Sequence, residues 1–158
     1  MEIRKLSAAE IPQLAALERV CFSDPWSEQA FESEMENPLS LWLVAMDGER
    51  VMGYCGSQQV FEEADIMNVA VCPEDRRQGV ADALLEELER RLSQNGAETV
   101  ALEVRVSNAG AIALYERLGY IQAGLRKNYY FHPREDAYIL KKQVKNRSAE
   151  CGNEEMKE

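Results

Sequence analysis

Two groups of residues in this chain have types and a spacing that chemistry can use. The first is Arg76-Arg77-Gln78-Gly79-Val80-Ala81, which follows the apolar run Ile66–Val71 and leads into a stretch of helical periodicity. The first N–H groups of a helix have no intrahelical partner and carry partial positive charge. A pyrophosphate can rest on them where the backbone is bare. Gly79 and Ala81 supply bareness, and Arg76 and Arg77 add charge. It is not a Walker loop, because no Lys-Ser/Thr follows the glycine, and it is not G-x-G-x-x-G. Taken alone, the stretch reads equally as an ordinary turn with two solvated arginines.

The second group is Glu103, Asn108 and Tyr115. Glu103 alternates with Leu102 and Val104, so it is either a solvated or salt-bridged carboxylate or a general base acting through water. Tyr115 shares a helix face with Ile112 and Leu118. It is either a core residue or a phenol that donates a proton to a leaving group. Asn108 is either a helix cap or, with Ser107 capping instead, a carboxamide open to a ligand. Trp26 is a candidate wall residue of a cleft, against the plainer reading of a half-buried packing residue.

The elements that must position these groups follow from periodicity. Glu2–Leu6 reads as a strand. Ser7 caps a helix to Phe22 with Ile11, Leu14, Leu17 and Val20 on one face, and Ser27 caps a second helix holding Phe31 and Met35. Leu39–Met46 and Arg50–Phe61 are strands around an Asp47-Gly48 hairpin signal. Glu62–Asp65 turns the chain into the strand Ile66–Val71. Val80, Leu84, Leu85, Leu88 and Leu92 make one helix face. Thr99–Val106 is the next strand, and strand–helix–strand order makes it a parallel neighbour of Ile66–Val71. A helix from Ser107-Asn108 ends at Gly119. Tyr120–Phe131 and Ala137–Val144 are final strands joined by a polar loop from His132 to Asp136. The fold class is α/β (α+β): a mixed sheet of about seven strands with about four helices, an N-terminal antiparallel meander and one parallel pair. In such a sheet ligands favour the carboxyl ends of parallel strands, and both ends here open helices.

Composition narrows the classes. The 158 residues suit a single domain, assigned to 1–144, with a disordered tail expected at 145–158. A net charge of −10 argues against nucleic-acid binding and is compatible with a cationic substrate or with plain solubility. No apolar run is long enough to span a membrane, and the N-terminus reads as neither signal peptide nor lipidation site, so a cytoplasmic protein is expected. Cys21, Cys55, Cys72 and Cys151 form no C-x-x-C pair and are expected as free thiols. With the single His132 read as a loop residue, no metal site is expected. The sequence does not set an oligomeric state; a monomer is compatible with it.

Arg76-x-x-Gly79-x-Ala81 after a strand resembles the acetyl-CoA signature of the GNAT N-acetyltransferases, with Ala81 where Gly is more usual. The segment LEVRVSNAGAIALYERLGY, Leu102–Tyr120, with Pro25-Trp26-Ser27 and GLRKNYY at Gly124–Tyr130, is similar to the RimI group of that family. Those enzymes acetylate the N-terminal alanine of a small-subunit ribosomal protein. The resemblance runs from residue 1 to residue 142 and implies the GNAT fold, with the parallel pair at the coenzyme cleft. It implies acetyl-CoA as cosubstrate, no metal, and a basic ribosomal-protein N-terminus as substrate. Arg76 and the turn Arg77, Gln78, Gly79, Val80, Ala81 and Asp82 would hold the pyrophosphate. Amides around Val69, Ala70 and Val71 would hold the pantetheine arm and polarise the acetyl carbonyl, and Asn108 would contact the pantetheine. Glu103 would be the general base and Tyr115 the general acid. Trp26, Arg126, Tyr129 and Tyr130 would shape the peptide channel. Two other expectations stand beside this one: a GNAT acting on lysine side chains or a small amine, and a module that binds the coenzyme without turnover.

Overall fold

In the computed structural model residues 1–144 are described; the tail expected to be disordered, 145–158, lies outside them. The described elements are β1 (Glu2–Lys5), α1 (Ile11–Cys21), α2 (Glu28–Glu36), β2 (Ser40–Asp47), β3 (Arg50–Val60), β4 (Glu63–Val71), α3 (Val80–Gln94), β5 (Thr99–Arg105), α4 (Ala109–Arg117), β6 (Ile121–Phe131) and β7 (Arg134–Gln143). The strands form a 7-stranded sheet in the order β1-β2-β3-β4-β5-β7-β6. β1 and β2 pair antiparallel, as do β2 and β3 across a two-residue turn in which Gly48 takes φ +61°. A positive φ at the first central position of such a turn is what glycine allows without a Cβ penalty. β4 and β5 are parallel from Glu63↔Thr99 to Asp65↔Ala101, with α3 as the crossover. The expected mixed sheet is therefore present.

Three local expectations differ from the structure. β4 begins at Glu63, not Ile66, because pairing with β5 carries the acidic residues into the strand. β7 begins at Arg134, not Ala137, since Phe131↔Arg134 and Tyr130↔Glu135 close a tight hairpin at the polar His132-Pro133. On α1 the buried residues are Ile11, Leu14, Ala15, Leu17 and Glu18, whereas Val20 is exposed. Glu18, a carboxylate, takes a place on the buried face, and the face turns away from Val20.

The packing divides the described chain into two compact units. The first comprises Met1–Gln58 and Ile66–Leu88, the second Gln59–Asp65 and the described residues from Glu89 onward. In the first, Leu84, Leu85 and Leu88 of α3 are fully buried, as their spacing predicts. Phe31, Trp42 and Tyr54 pack edge-on and tilted, with ring centroids 5.4–6.2 Å apart. Gly56 lies under the Trp42 ring, where a Cβ would come within 2.2 Å of it. Gly53 allows β3 to approach β4, since a Cβ there would stand 2.7 Å from the Ala70 carbonyl oxygen. In the second unit, Val100, Leu102 and Val104 of β5 bury one face with Leu140 of β7. The buried Glu89 carboxylate accepts from the Tyr120 hydroxyl at 2.9 Å and from Lys142 Nζ at 2.6 Å.

Candidate active site

In the first unit, β4 ends at Val71 and a 3₁₀ turn, Pro73–Asp75, redirects the chain. The turn is anchored by Asp75, which accepts from both Arg50 guanidinium nitrogens at 2.7 and 3.1 Å. That guanidinium holds the Asp75 carboxyl below its usual range. Arg76 folds back, its Nε donating to the Val71 carbonyl at 3.2 Å. Arg77 and Gly79 then both take left-handed backbone conformations, with φ +64° and +77°. The first is notable: an L-residue other than glycine costs about 1–2 kcal/mol there, and such strain gathers at functional loops. A Cβ on Gly79 would meet nothing within 4 Å, so glycine is needed there for its φ rather than for space inside the protein. α3 starts at Val80, and the Gly79 carbonyl accepts its first helical bond from Ala83 N–H at 3.0 Å. The first N–H groups of a helix have no intrahelical partner and can serve an anion.

Upstream in the same unit, Val69 and Val71 are half-buried and Ala70 is buried. The Val69 N–H donates to Asn68 Oδ1 at 3.1 Å. Trp26 packs its ring on Phe31 and Trp42 at 5.5 and 5.3 Å, which is the packing alternative. Its backbone N–H donates to Glu18 Oε1 at 2.9 Å. The fully buried Glu18 also accepts from the Tyr54 hydroxyl and from Asn68 Nδ2. Burial pushes the Glu18 carboxyl up, against the lowering effect of these three donors.

In the second unit, Glu103 lies on β5 opposite Ile139 and turns away from the buried Leu102 and Val104. Its carboxylate accepts from Arg126 Nε at 3.2 Å, so the salt-bridged alternative is the observed state. Arg105, on the same face two residues on, reaches the β6–β7 turn. It donates to the Pro133 carbonyl at 2.9 Å and to Glu135 at 3.2 Å, and stacks 4.2 Å from the Tyr130 ring centre. Glu135 in turn accepts the Ser107 N–H at 2.7 Å. Tyr129 and Tyr130 meet edge to face at 5.0 Å. Burial raises both phenols, Tyr130 to about 12, and the Glu103 charge adds to the rise. Tyr115 on α4 is buried with its ring edge-on to Tyr120 at 5.5 Å. The cap of α4 decides between the two alternatives for Asn108. Asn108, not Ser107, is the N-cap, and its Oδ1 accepts from Ala111 N–H at 3.1 Å.

The structure thus gathers Glu103, Arg126, Tyr129, Tyr130 and Arg105 in one unit, and Val69, Trp26 and the Arg76–Asp82 loop in the other. Sequence reasoning missed Glu18, Asn68, Arg105 and Glu135. Glu18 had a signal: Ile11, Leu14, Ala15 and Glu18 follow the i, i+3, i+4, i+7 stripe, so a carboxylate occupied a core position. Among the described residues Cys21, Cys55 and Cys72 are free thiols, and burial raises each. Cys72, Glu74 and Asp75 bring ligand atoms within 4.8 Å of one another, but Asp75 already serves Arg50.

A mixed sheet of this order, with a strained Gly-containing loop between its central strand and crossover helix, defines a class. The chain matches the Acetyltransferase (GNAT) family over residues 11–120, and it belongs to that family. It is an acetyltransferase. Among its relatives is the ribosomal protein bS18-alanine N-acetyltransferase of Escherichia coli (strain K12), 39% identical over 140 residues, covering 87% of this chain and 94% of that protein. The enzyme of the same name from Salmonella typhimurium is 41% identical over 138 residues, covering 85% and 92%. The crystal structure of the ribosomal-protein-S18-alanine N-acetyltransferase from Escherichia coli superposes with a TM-score of 0.83 at 38% identity, covering 91% of this chain and 94% of that one.

Proposed function

We propose that this protein transfers the acetyl group of acetyl-CoA to the α-amine of an N-terminal alanine on a small-subunit ribosomal protein of the bS18 type, in the cytoplasm. The observation that carries the reading is the 39% identity to an enzyme of that name across 94% of its length. The loop fits the coenzyme's pyrophosphate: Arg77 and Gly79 open it by their positive φ, and no side chain crowds Gly79. Arg76 and the Arg77–Asp82 amides are assigned to that group, the strand amides of Val69–Val71 to the pantetheine arm and acyl carbonyl, and Asn108 to the pantetheine. When bound, the coenzyme supplies an activated acyl thioester.

The chain's own residues move the protons. An α-amine titrates near 7.7–8.0 and a lysine near 10.4. At pH 7 about a tenth of the former is already neutral, against well under a thousandth of the latter. A carboxylate acting through water is base enough for the first. Glu103 takes that proton, and its pairing with Arg126 keeps the carboxylate oriented on the polar face of β5. The β4 amides donate to the acyl oxygen as negative charge develops there. The Tyr115 phenol protonates the departing thiolate. Arg126, Tyr129 and Tyr130 are assigned to the peptide substrate, and so is Trp26. The acidic surface favours a basic N-terminus.

The test is an Ala-started basic peptide beside the same peptide N-terminally blocked, each incubated with enzyme and acetyl-CoA and weighed by mass spectrometry. One acetyl on the free peptide alone supports the proposal. Acetylation of the blocked, lysine-bearing peptide makes the protein a lysine acetyltransferase, and no product on either points to a small-molecule amine.

A further inference from the structure

The buried Glu18 carboxylate has no part in the chemistry above, yet its partners lead directly to the coenzyme strand. Glu18 sits on α1 and is fully buried. Burying a carboxylate is costly unless donors surround it. Here three donors come from three separate segments: the Trp26 backbone N–H at 2.9 Å, the Tyr54 hydroxyl, and Asn68 Nδ2 at 2.6 Å. With its nitrogen held by Glu18, the Asn68 carboxamide presents its oxygen to the next residue, where it accepts the Val69 N–H at 3.1 Å. A backbone N–H is a single donor, so an acceptor already on it competes with any ligand carbonyl.

We propose that Glu18 and Asn68 are positioning residues for the acyl end of the coenzyme: Glu18 holds the Asn68 carboxamide so that its oxygen occupies the Val69 N–H until the thioester carbonyl takes that donor. This rests on the proposed function and takes the Val69 N–H, among the Val69–Val71 amides assigned to the pantetheine arm and acyl carbonyl, as the one that meets the acyl oxygen. The arrangement keeps a half-buried amide satisfied in the free protein. It also makes the strand respond to the acyl group itself. CoA has no acyl carbonyl and leaves Asn68 in place, whereas acetyl-CoA must displace it.

The experiment is calorimetric titration of acetyl-CoA and of CoA into wild type, Asn68→Ala and Glu18→Gln, with thermal unfolding of each. Removing the competing oxygen in Asn68→Ala should tighten acetyl-CoA by about 2- to 10-fold relative to CoA, the range of one neutral hydrogen bond. Glu18→Gln, which keeps the shape and weakens the grip on Asn68, should move the ratio in the same direction by less. Should Glu18→Gln fail to fold, Asn68→Ala decides alone. A purely structural role lowers the melting temperature and moves both affinities together, and that outcome overturns the inference. So does an unchanged ratio, or an acetyl-CoA affinity that falls relative to CoA. A wild-type protein that binds neither ligand would instead overturn the proposed function, and this inference with it.

Discussion

Glu103 and Tyr115 differ in what surrounds them, and the difference sets what their removal should do. The Glu103–Arg126 pair is partly exposed, with side chains 25% and 54% accessible, so it is worth at most about 1 kcal/mol of stability. Glu103→Gln should therefore leave the melting temperature nearly unchanged while lowering kcat by about 10²- to 10⁴-fold, the range of general-base contributions, with acetyl-CoA affinity retained. Steady-state kinetics and calorimetry check this, and an unaltered rate would leave Glu103 as a salt-bridge partner only. Tyr115 is buried against Tyr120, so Tyr115→Phe keeps the ring and removes only the hydroxyl. Slower thiol release at equal coenzyme affinity is expected, and wild-type turnover would make Tyr115 a packing residue. Alternation and the helix stripe by themselves read Glu103 as a solvated or salt-bridged carboxylate and Tyr115 as a core residue, and the catalytic roles proposed for them come from the resemblance of Leu102–Tyr120 to the RimI group. Asn68 and Arg105 were legible in neither way. Their meaning comes from partners far along the chain, Glu18 and Glu135, which no local period connects. Asn108 stayed open between two readings for a related reason: Ser107 and Asn108 are both good caps, and only the backbone decides between them.

Among the elements, the loop proposed to hold the coenzyme depends on supports outside itself. Gly53→Ala would set a Cβ against the Ala70 carbonyl at 2.7 Å, and overpacking of this kind costs about 1–3 kcal/mol. A denaturant midpoint lowered together with acetyl-CoA affinity is the expected result. Stability lost with affinity intact would mean that β4 does not carry the ligand. The Asp75–Arg50 pair anchors the turn ahead of the loop. Because the pair lowers the folded Asp75 pKa below 3.8, its contribution is complete above that value and is lost as pH falls through the lowered one. The melting-temperature gap between wild type and Asp75→Asn should thus be widest near neutral pH and close in acid. A gap independent of pH would contradict the pairing. Elements with a strong period, such as α3 with its buried leucines, were legible in the sequence. Strand ends were not, because β4 and β7 extend into polar residues through pairing with a partner strand, which composition alone does not reveal.

For the whole molecule, the net charge of −10 and the proposed basic substrate make a joint prediction. KM for an Ala-started basic peptide should rise with added salt as screening shortens the reach of the protein's field, while KM for a neutral Ala-started peptide should change little. Equal salt responses would reduce the acidic surface to a solubility feature. The mixed sheet and its parallel pair were legible from the order of strands and helices. The division into two compact units was not, because it cuts across β3, β4 and α3 rather than falling in a linker. The central claim is that the acetyl group goes to one α-amine of one kind of protein. The most direct measurement incubates small-subunit ribosomal proteins lacking N-terminal acetylation with enzyme and acetyl-CoA, then locates every new acetyl group by tandem mass spectrometry. A single acetyl on the α-amine of an alanine-started protein is the expected result. Acetyl groups on lysine side chains, or spread over N-termini regardless of the first residue, would contradict it.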